Sequence, residues 1–585
     1  MLIIVYKIDE KKFFLLMLND NMSSQYKLLV ENRDYSNWIL YDALSLNEIE
    51  KIDIKPADLK LFSHDIFEFQ DNQCNILHSS IRCSPSIPGV LILKENKTYG
   101  KYKDKYLYKC VPDDKRLPIF LIPYQLKLAF SKNIDNKYIV FKYNHWNSKH
   151  PQGTVVSVLG DVDVLSSFYE YQLYCKSLYA SIQTFNKATS DVLKQKTEKE
   201  FISSIIEKYK LIDRTHEQVF SIDSSNTTDF DDAFSIEETG KNSFKLSIYI
   251  ANVPLWMEEL NLWNSFSERI STIYLPDRKR PMLPLSLSNC LCSLCENVVR
   301  LAFAIDITIV DNEIVGYKIE NTFIKVYKNH VYDSKELLQD YNYKKMFSLT
   351  DELCKVYKYT TKLKGSYDMV SYLMILMNYY CATSLINFNT GIYRSVQFKK
   401  IYEKDSTLPE DVNNFLKIWN SSFGQYDLFD NKTCHQMLQL DSYIHCTSPI
   451  RRLVDLLNMA LLQINLNLNN FGPEFYKFYD YWIGRIDYIN TTMRAIRKIQ
   501  NDCSLLEMCV NNPKICEKIY DGYVFDKIER NDGLFQYVVY LVELKTVSRI
   551  TVRQNINDNA KYNFKLYIFE DEDTLKKKVR LHLII

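Results

Sequence analysis

The chain has 585 residues, too many for one hydrophobic core, and a domain size of roughly 150 residues predicts about three or four modules. Lys and Arg together (73) almost balance Asp and Glu (72), so the net charge of +1 identifies neither a nucleic-acid-binding protein nor any other class. With 46% hydrophobic residues and only 13 Gly and 15 Pro, a largely disordered chain is excluded. Because the 14 Cys are scattered, and neither a signal sequence nor a membrane-length apolar run is apparent, we expect a soluble, intracellular protein with reduced thiols.

Hydrophobic periodicity divides the chain into five regions. Residues 1–84 alternate apolar runs such as FFLLML and YKLLV with polar breaks, which predicts a β-rich domain that could be cold-shock-like. In residues 85–165 the runs GVLIL, YLYKC, FLIPY, KYIVFKY and GTVVSVLG favour an OB-type barrel, with a generic β-sandwich or meander as the alternative. A helical connector (166–209), a large α+β core (210–514) and an OB-fold-like barrel (515–585) complete the predicted order.

The segment SIDSSNTTDFDDAF crowds four acids at the end of a predicted strand: Asp223, Asp229, Asp231 and Asp232. Like charges this close raise one another's pKa unless a cation lies among them. Hard oxygen ligands with few His nearby favour Mg²⁺, or Mn²⁺, over zinc, and such sites commonly serve phosphodiester hydrolysis. From the acids alone, a solvated acidic turn or a calcium loop is an open alternative, although the spacing does not match an EF-hand.

The segment TSPIRRLVDLLNMALL predicts a helix with Thr447 or Ser448 as N-cap and Pro449 near its first position. Arg451 and Arg452 would then lie in the first turn, where cations oppose the helix dipole unless an anion is bound. A phosphate of bound RNA would explain them. Salt bridges to local acids such as Asp455 are an equally good explanation of this segment alone.

These segments, in this order, resemble the catalytic RNB domain of the ribonuclease II/R family. SIDSSNTTDFDDAF resembles the family's metal-binding aspartate motif. STIYLPDRKRPMLPLSLSNCLCSLCENVVRLAFAI and SYIHCTSPIRRLVDLL are similar to two further signatures, and the likeness covers residues 210–510. More weakly, PDDKRLPIFLIPY with HPQGTVVSVLG resembles the cold-shock-type domain of eukaryotic exosome-type members, without the additional N-terminal nuclease domain that some of them carry. The resemblance implies an α+β RNB catalytic domain flanked by small all-β OB-fold barrels.

The resemblance also implies an activity: 3′→5′ hydrolysis of single-stranded RNA to 5′-nucleoside monophosphates by a magnesium-dependent two-metal mechanism. Asp223, Asp229, Asp231 and Asp232 would hold the metal, and Asp231 and Asp232 would act in catalysis. Arg451 would stabilise charge on the scissile phosphate, and Arg452 would contact RNA. Tyr274 in YLP resembles an aromatic residue that stacks on RNA bases, and Tyr332 resembles a tyrosine that holds the terminal nucleotides.

Two other classes of protein stay open. A catalytically silent RNB-fold regulator would bind RNA without cleaving it, although the intact acids and Arg451 argue against this class. A metal-dependent DNase or polymerase-like protein would share the carboxylates but would not predict TSPIRR or LCSL. Protein partners in an RNA-decay complex are conceivable for the family, but no segment identifies one.

Overall fold

The computed structural model describes residues 25–50, 52–70, 73–126, 134–359, 362–398, 405, 407–420, 424–429 and 434–584. The predicted apolar run FFLLML lies outside these residues. Two units divide the described chain. The first contains the residues up to Tyr179, Leu275–Asp277 and the chain from Arg497, and the second contains Ala180–Tyr274 and Arg278–Ile496.

The first unit begins with an antiparallel sheet of five strands. Its strands are β1 (Gln25–Val30), β2 (Trp38–Asp42), β3 (Glu48–Ile49), β4 (Ile66–Gln70) and β5 (Gln73–His78), and their order is β3-β2-β1-β4-β5. Alternate residues such as Leu28 and Val30 are completely buried, because successive side chains of a strand point to opposite faces. This alternation gives the sheet one apolar face, and that face packs into the core.

A small β-barrel follows, built from β6 (Ile87–Leu91), β7 (Lys101–Tyr102), β8 (Lys105–Pro112), β9 (Phe120–Tyr124), β10 (Lys137–His145) and β11 (Gln152–Asp161). The order β6-β10-β11-β9-β8 closes on itself through a β6–β8 pairing, and β7 is added at β8. Gly153 makes close packing possible, since a Cβ atom there would lie 2.7 Å from the Phe141 ring. The five barrel strands coincide with the five apolar runs, which confirms the predicted OB-type barrel.

The chain ends in a third sheet of the first unit. Its strands are β22 (Ile519–Glu529), β23 (Phe535–Leu541), β24 (Thr546–Val552), β25 (Lys561–Asp571) and β26 (Lys576–Ile584), in the antiparallel order β24-β23-β22-β25-β26. Its core contains Tyr520, Tyr537 and Phe564, together with Cys509 of the helix Ile486–Asn511.

The second unit is organised by a large mixed sheet. Its strands are β12 (Ile212–Asp213), β13 (Val219–Asp223), β14 (Asp232–Gly240), β15 (Ser243–Ala251), β18 (Val299–Val310) and β19 (Glu313–Val331). The order β12-β19-β13-β14-β15-β18, with a further β18–β19 pairing, closes five of the strands into a ring. The short hairpins β16 (Ile273–Tyr274) with β17 (Lys279–Arg280), and β20 (Ile392–Ser395) with β21 (Gln425–Leu428), stand apart from it.

Helices complete both units. They are Ser80–Cys83, Leu165–Cys175, Gln183–Leu193, Glu198–Tyr209, Val253–Glu259, Lys335–Gln339, Tyr341–Val356, Ser366–Ile386, Glu410–Asn420, Leu453–Asn465, Pro473–Ile483, Ile486–Asn511 and Lys514–Glu517, with a 3-10 turn at Trp263–Ser265 and a π-helical segment at Ser286–Leu291. The mixture of helices with a closed sheet confirms the predicted α+β class.

The helix Ser366–Ile386 is long and apolar enough to cross a membrane by composition alone. Within the second unit, however, 61% of its most apolar window is buried. Met369, Leu373 and Leu376 are completely buried in the same cluster as Phe220 and Ile248 of the sheet. Its apolar surface is therefore explained by its position as a core helix.

Candidate active site

The four aspartates lie where two neighbouring strands of the second unit meet. Asp223 is the last residue of β13, Asp232 is the first residue of β14, and these strands pair antiparallel through Phe220 and Phe234. Asp229 and Asp231 lie in the loop between the strands. The buried apolar strands thus hold the two ends of the polar loop and place its acids at one end of the sheet.

Asp231 is held by the segment that contains Arg451. Its Oδ1 accepts a hydrogen bond from the Ile450 amide (3.1 Å), and its Oδ2 accepts one from Arg451 Nε (2.9 Å). Burial raises the pKa of Asp231 to about 6, although the Arg451 guanidinium opposes the shift. Residues separated by more than 200 positions in the sequence therefore form one contact.

Asp229 is held by a lysine that the sequence did not single out. Lys279 Nζ lies 2.8 Å from Asp229 Oδ1, and the carboxylate is only 10% exposed. Lys279 belongs to β17, directly opposite Tyr274 of β16. Its position in DRKRPMLP gave no signal, because a lysine among other basic residues in a short hairpin is usually solvated.

Asp223 and Asp232 are the two acids of the site that form no ion pair among the described residues. Oδ2 of each is buried and has no hydrogen-bond partner among the described residues. Burial raises the pKa of Asp223 to about 7, with Asp231 adding to the shift, and burial together with Asp223 raises the pKa of Asp232 well above its ordinary value. Two partly buried carboxylates that interact electrostatically, each with one buried oxygen that lacks a partner among the described residues, offer the hard oxygen ligands that a divalent cation prefers.

The described residues hold no set of three or more His, Cys, Asp or Glu side chains already gathered around one point. Two of the four aspartates are instead ion-paired, Asp229 with Lys279 and Asp231 with Arg451. The pair that is left, Asp223 with Asp232, fits a divalent ion by its chemistry and by its orphaned oxygens.

The prediction for the start of the arginine helix was wrong. The helix begins at Leu453, after an extended Arg452, and Pro449 lies in the preceding turn. The Ser448 amide donates a hydrogen bond to the Asp455 side chain (2.8 Å), and the Ile450 amide donates one to the Asp231 side chain (3.1 Å). These two bonds hold the segment before Leu453 in a turn. Arg451 and Arg452 thus precede the first turn.

Arg451 and Arg452 have different environments. Arg452 donates to the Asp455 carboxylate (2.8 Å), which is the salt bridge considered from the sequence. Arg451 bonds Asp231 and Ser448, and its side chain is still 43% exposed. Of the two, Arg451 is the cation that reaches solvent beside the aspartates.

Tyr274 lies beside Arg451, because the two segments are joined through their backbones. The Thr272 amide donates to the Arg451 carbonyl (3.0 Å), and Leu453 donates to the Ile270 carbonyl (2.9 Å). Tyr274 follows directly in β16 and is 42% exposed. A half-exposed ring beside a cation and an acidic cluster can stack on a planar ligand.

Tyr332 also lies next to the acidic cluster. Its amide donates to the Asp223 carbonyl (2.9 Å), and its ring meets Tyr367 edge-on with centroids 5.6 Å apart. Asp333 accepts bonds from the Ser366 amide (2.9 Å) and hydroxyl, and so fixes the start of the helix that carries Tyr367. Gly365 permits this contact, since a Cβ there would lie 2.9 Å from Asp333 Oδ1. Tyr367 was not predicted from the sequence.

The LCSL segment (residues 291–294) is hydrogen-bonded to the loop that carries the aspartates. Ser293 Oγ accepts from the Phe230 amide (2.9 Å), and the Leu294 amide donates to the Phe230 carbonyl (3.0 Å). Arg300 in turn donates to the Ser293 carbonyl (2.9 Å) and to Glu198 (2.6 Å). Two motifs that lie far apart in the sequence therefore fix one another's backbone.

Comparison with known proteins finds two family models that match parts of this chain. The RNB domain family matches residues 212–366 and 346–467, and the Dis3-like cold-shock domain 2 (CSD2) matches residues 107–169. The chain therefore has a region similar to the RNB domain, preceded by a region similar to a cold-shock-type barrel.

Individual proteins are also similar to this chain in sequence or in fold. Ribonuclease R of Thermotoga maritima is 29% identical over 238 residues, which are 38% of this chain and 32% of the relative, so the aligned part spans about a third of that protein. RNase R of Mycoplasma genitalium covers 95% of this chain and 100% of its own at 16% identity, with a TM-score of 0.68 in its apo form and 0.66 in complex with ribose-methylated single-stranded RNA. Yeast Ssd1, a pseudonuclease, aligns at 14% identity with a TM-score of 0.57, over 93% of this chain and 80% of its own.

Proposed function

We propose that this protein is a 3′→5′ exoribonuclease that hydrolyses single-stranded RNA to 5′-nucleoside monophosphates by a two-metal mechanism. The observation that carries the proposal is the pair Asp223 and Asp232, each with a buried Oδ2 that has no hydrogen-bond partner among the described residues, next to further acids and the half-exposed Arg451. Burial and mutual repulsion raise the pKa of both carboxyls, and a divalent cation bound between them would stabilise their ionised forms.

In this proposal Asp223, Asp229, Asp231 and Asp232 hold Mg²⁺, for which Mn²⁺ can substitute. Mg²⁺ held by these residues would supply an activated water and neutralise charge on the leaving oxygen. Asp231 and Asp232 are the catalytic carboxylates. Arg451 stabilises the negative charge that develops on the scissile phosphate, because its guanidinium is fixed by Asp231 and Ser448 before substrate arrives.

The RNA is held by the aromatic side chains on either side of the acids. Tyr274 stacks on a base near the scissile bond, and Tyr332, braced by Tyr367, holds the terminal nucleotides. Arg452 contributes positive charge next to the backbone, although its ion pair with Asp455 neutralises part of it. Stacking does not depend on base identity, so we expect little sequence preference.

The remaining predictions extend this proposal to the whole chain. In this proposal the regions 1–84, 85–165 and 515–585 bind single-stranded RNA, the region 210–514 hydrolyses it, and residues 166–209 connect the modules. We propose an intracellular site of action. Any protein partners would belong to RNA decay.

A gel assay with 5′-labelled single-stranded RNA and Mg²⁺ tests the activity. We expect a descending ladder of products with the wild-type chain, none with Asp232→Asn, and none when DNA of the same sequence replaces RNA. Cleavage of DNA would contradict RNA specificity, and cleavage by Asp232→Asn would remove the aspartates from catalysis.

The second candidate function is RNA binding without catalysis by a protein of the same fold. The observation that favours it is the structural similarity to the Ssd1 pseudonuclease. The four acids and Arg451 oppose it, because a protein without the reaction has no need to maintain buried unpaired carboxylates. Intact RNA with retained binding in the gel assay would establish this alternative.

A further inference from the structure

Lys279 is unusual among the lysines of the second unit because its ammonium group is fixed by three acceptors. Its Nζ contacts Asp229 Oδ1 (2.8 Å), Thr228 Oγ1 (2.7 Å) and Asn289 Oδ1 (3.3 Å). An ammonium has three hydrogens, so these contacts satisfy all of its donors. The side chain is 23% exposed, and Asp229 is 10% exposed.

Three separate segments meet at this ammonium group. Thr228 and Asp229 belong to the aspartate loop, Lys279 to β17, and Asn289 to the π-helical segment Ser286–Leu291. A surface ion pair between long flexible side chains contributes little and has no such support. Lys279 therefore belongs to the acidic cluster and does not form an isolated surface ion pair.

The formal charges show what this lysine does to the cluster. When all four aspartates are ionised, as metal binding requires, they contribute −4, and Lys279 and Arg451, each ion-paired with one of them, return +2, which leaves −2. One divalent ion neutralises that remainder. Removing the lysine would leave −3, so that a second divalent ion would be attracted more strongly.

We propose that Lys279 is a built-in cation that occupies the metal-binding edge of Asp229, so that divalent ions load in a fixed order. The inference rests on the proposed metal site and goes beyond it. The first ion binds tightly at Asp223 and Asp232, each of which has one buried oxygen, Oδ2, without a hydrogen-bond partner among the described residues. The second ion binds weakly, because it must displace the ammonium from Asp229 Oδ1.

Displacement is possible without unfolding the site. When an ion takes Asp229, the ammonium keeps its contacts with Thr228 and Asn289 and stays next to the cluster. An anionic phosphate that enters the site offers the released ammonium a new acceptor. Substrate therefore favours second-ion binding, and Lys279 acts as a positioning residue for it.

Mn²⁺ titration of the full-length chain, followed by the electron paramagnetic resonance signal of free aqueous Mn²⁺, tests the order. We expect one tight ion and one weak ion in the wild type. In Lys279→Met the second ion should bind at least about tenfold more tightly, because a fixed positive charge a few ångströms away has been removed. Lys279→Arg keeps that charge and should resemble the wild type.

Lys345→Met is the matched control. Lys345 also forms a close ion pair in the second unit, with Glu238 (2.6 Å), but Glu238 is six residues along β14 from Asp232, roughly 20 Å away. Its loss should leave Mn²⁺ binding unchanged. Thermal melts of each variant verify that it is folded, and Lys279→Gln provides a second neutral variant if Lys279→Met does not fold.

The outcomes separate this inference from the proposed function. Two equally tight ions in the wild type, or an unchanged second ion in the neutral Lys279 variants, would overturn the loading order while leaving the metal site intact. No tight ion in the wild type, with Asp223→Asn and Asp232→Asn indistinguishable from it, would overturn both. One tight ion that becomes two in Lys279→Met supports the inference.

Discussion

Two groups of buried charges share the central sheet of the second unit, and they are built in opposite ways. In the group around Arg214, the guanidinium bonds both Asp306 oxygens (2.6 Å each) and Glu320 (2.7 Å), while Glu217 accepts bonds from Tyr249 and Ser235. None of these side chains has an orphaned buried atom in the described chain. The aspartate group leaves oxygens of Asp223 and Asp232 without partners.

The pKa shifts of the two groups differ accordingly. Burial alone would raise the pKa of Asp306 and Glu217, but hydrogen bonds and positive neighbours outweigh it, and both pKa values are lowered. At Asp223 and Asp232 burial prevails, and the pKa rises. The satisfied group stabilises the fold, whereas the unsatisfied group is available for a ligand.

The largest expected effect is on activity. Asp232→Asn should lower RNA hydrolysis by a factor of roughly a thousand or more, because it removes a metal ligand and the charge that binds the ion. It should not lower the thermal midpoint, since the carboxylate it replaces has an unpartnered buried oxygen. The exposed Asp213→Asn serves as the matched control, and a large loss of stability in Asp232→Asn would contradict this contrast.

Arg214→Met should show the reverse pattern. Removing the central cation leaves Asp306 and Glu320 buried without their partner, at a cost of roughly 3 kcal/mol or more in the free energy of unfolding. Calorimetry would show the lowered midpoint of the second unit. Arg485→Met, which breaks the exposed pair with Glu268, should cost less than about 1 kcal/mol. Equal effects of the two substitutions would show that the buried network is not stabilising.

Tyr274→Ala should weaken RNA binding without affecting the fold. Loss of one stacked base costs about 1 to 3 kcal/mol, and fluorescence anisotropy with labelled single-stranded RNA in the Asp232→Asn background measures it. Tyr341→Ala is the control, because Tyr341 is 72% exposed and lies on the helix Tyr341–Val356. Unchanged affinity of Tyr274→Ala would remove this residue from the RNA path.

The smallest effect concerns pH. Because the pKa of Asp306 is lowered in the fold, its contribution to stability is present above its unfolded value, ordinarily 3.8, and is lost as the pH falls through the folded value. The difference in thermal midpoint between wild type and Asp306→Asn should therefore shrink on acidification below about pH 4. A constant difference across the acidic range would show that the charge of Asp306 does not contribute.

Features of local origin could be predicted from the sequence. The five apolar runs at residues 85–165 became the five barrel strands, since alternation and turn residues act over a few positions. The crowded acids of the aspartate motif and the order of the family signatures were likewise readable. The predicted start of the arginine helix was wrong, because Asp231 and Asp455 accept amide hydrogens from the preceding turn.

The sequence by itself therefore determined the class of fold, the RNB motif set and the identity of the acids. Only the tertiary structure decided which of the four acids form an ion pair and which have a buried oxygen without a partner among the described residues. The ion pairs Asp229 with Lys279 and Asp231 with Arg451 join residues 50 and 220 positions apart. Such contacts depend on how strands and turns pack. Burial and neighbouring charges then determine whether the pKa of a carboxyl rises or falls, and no local sequence pattern encodes either.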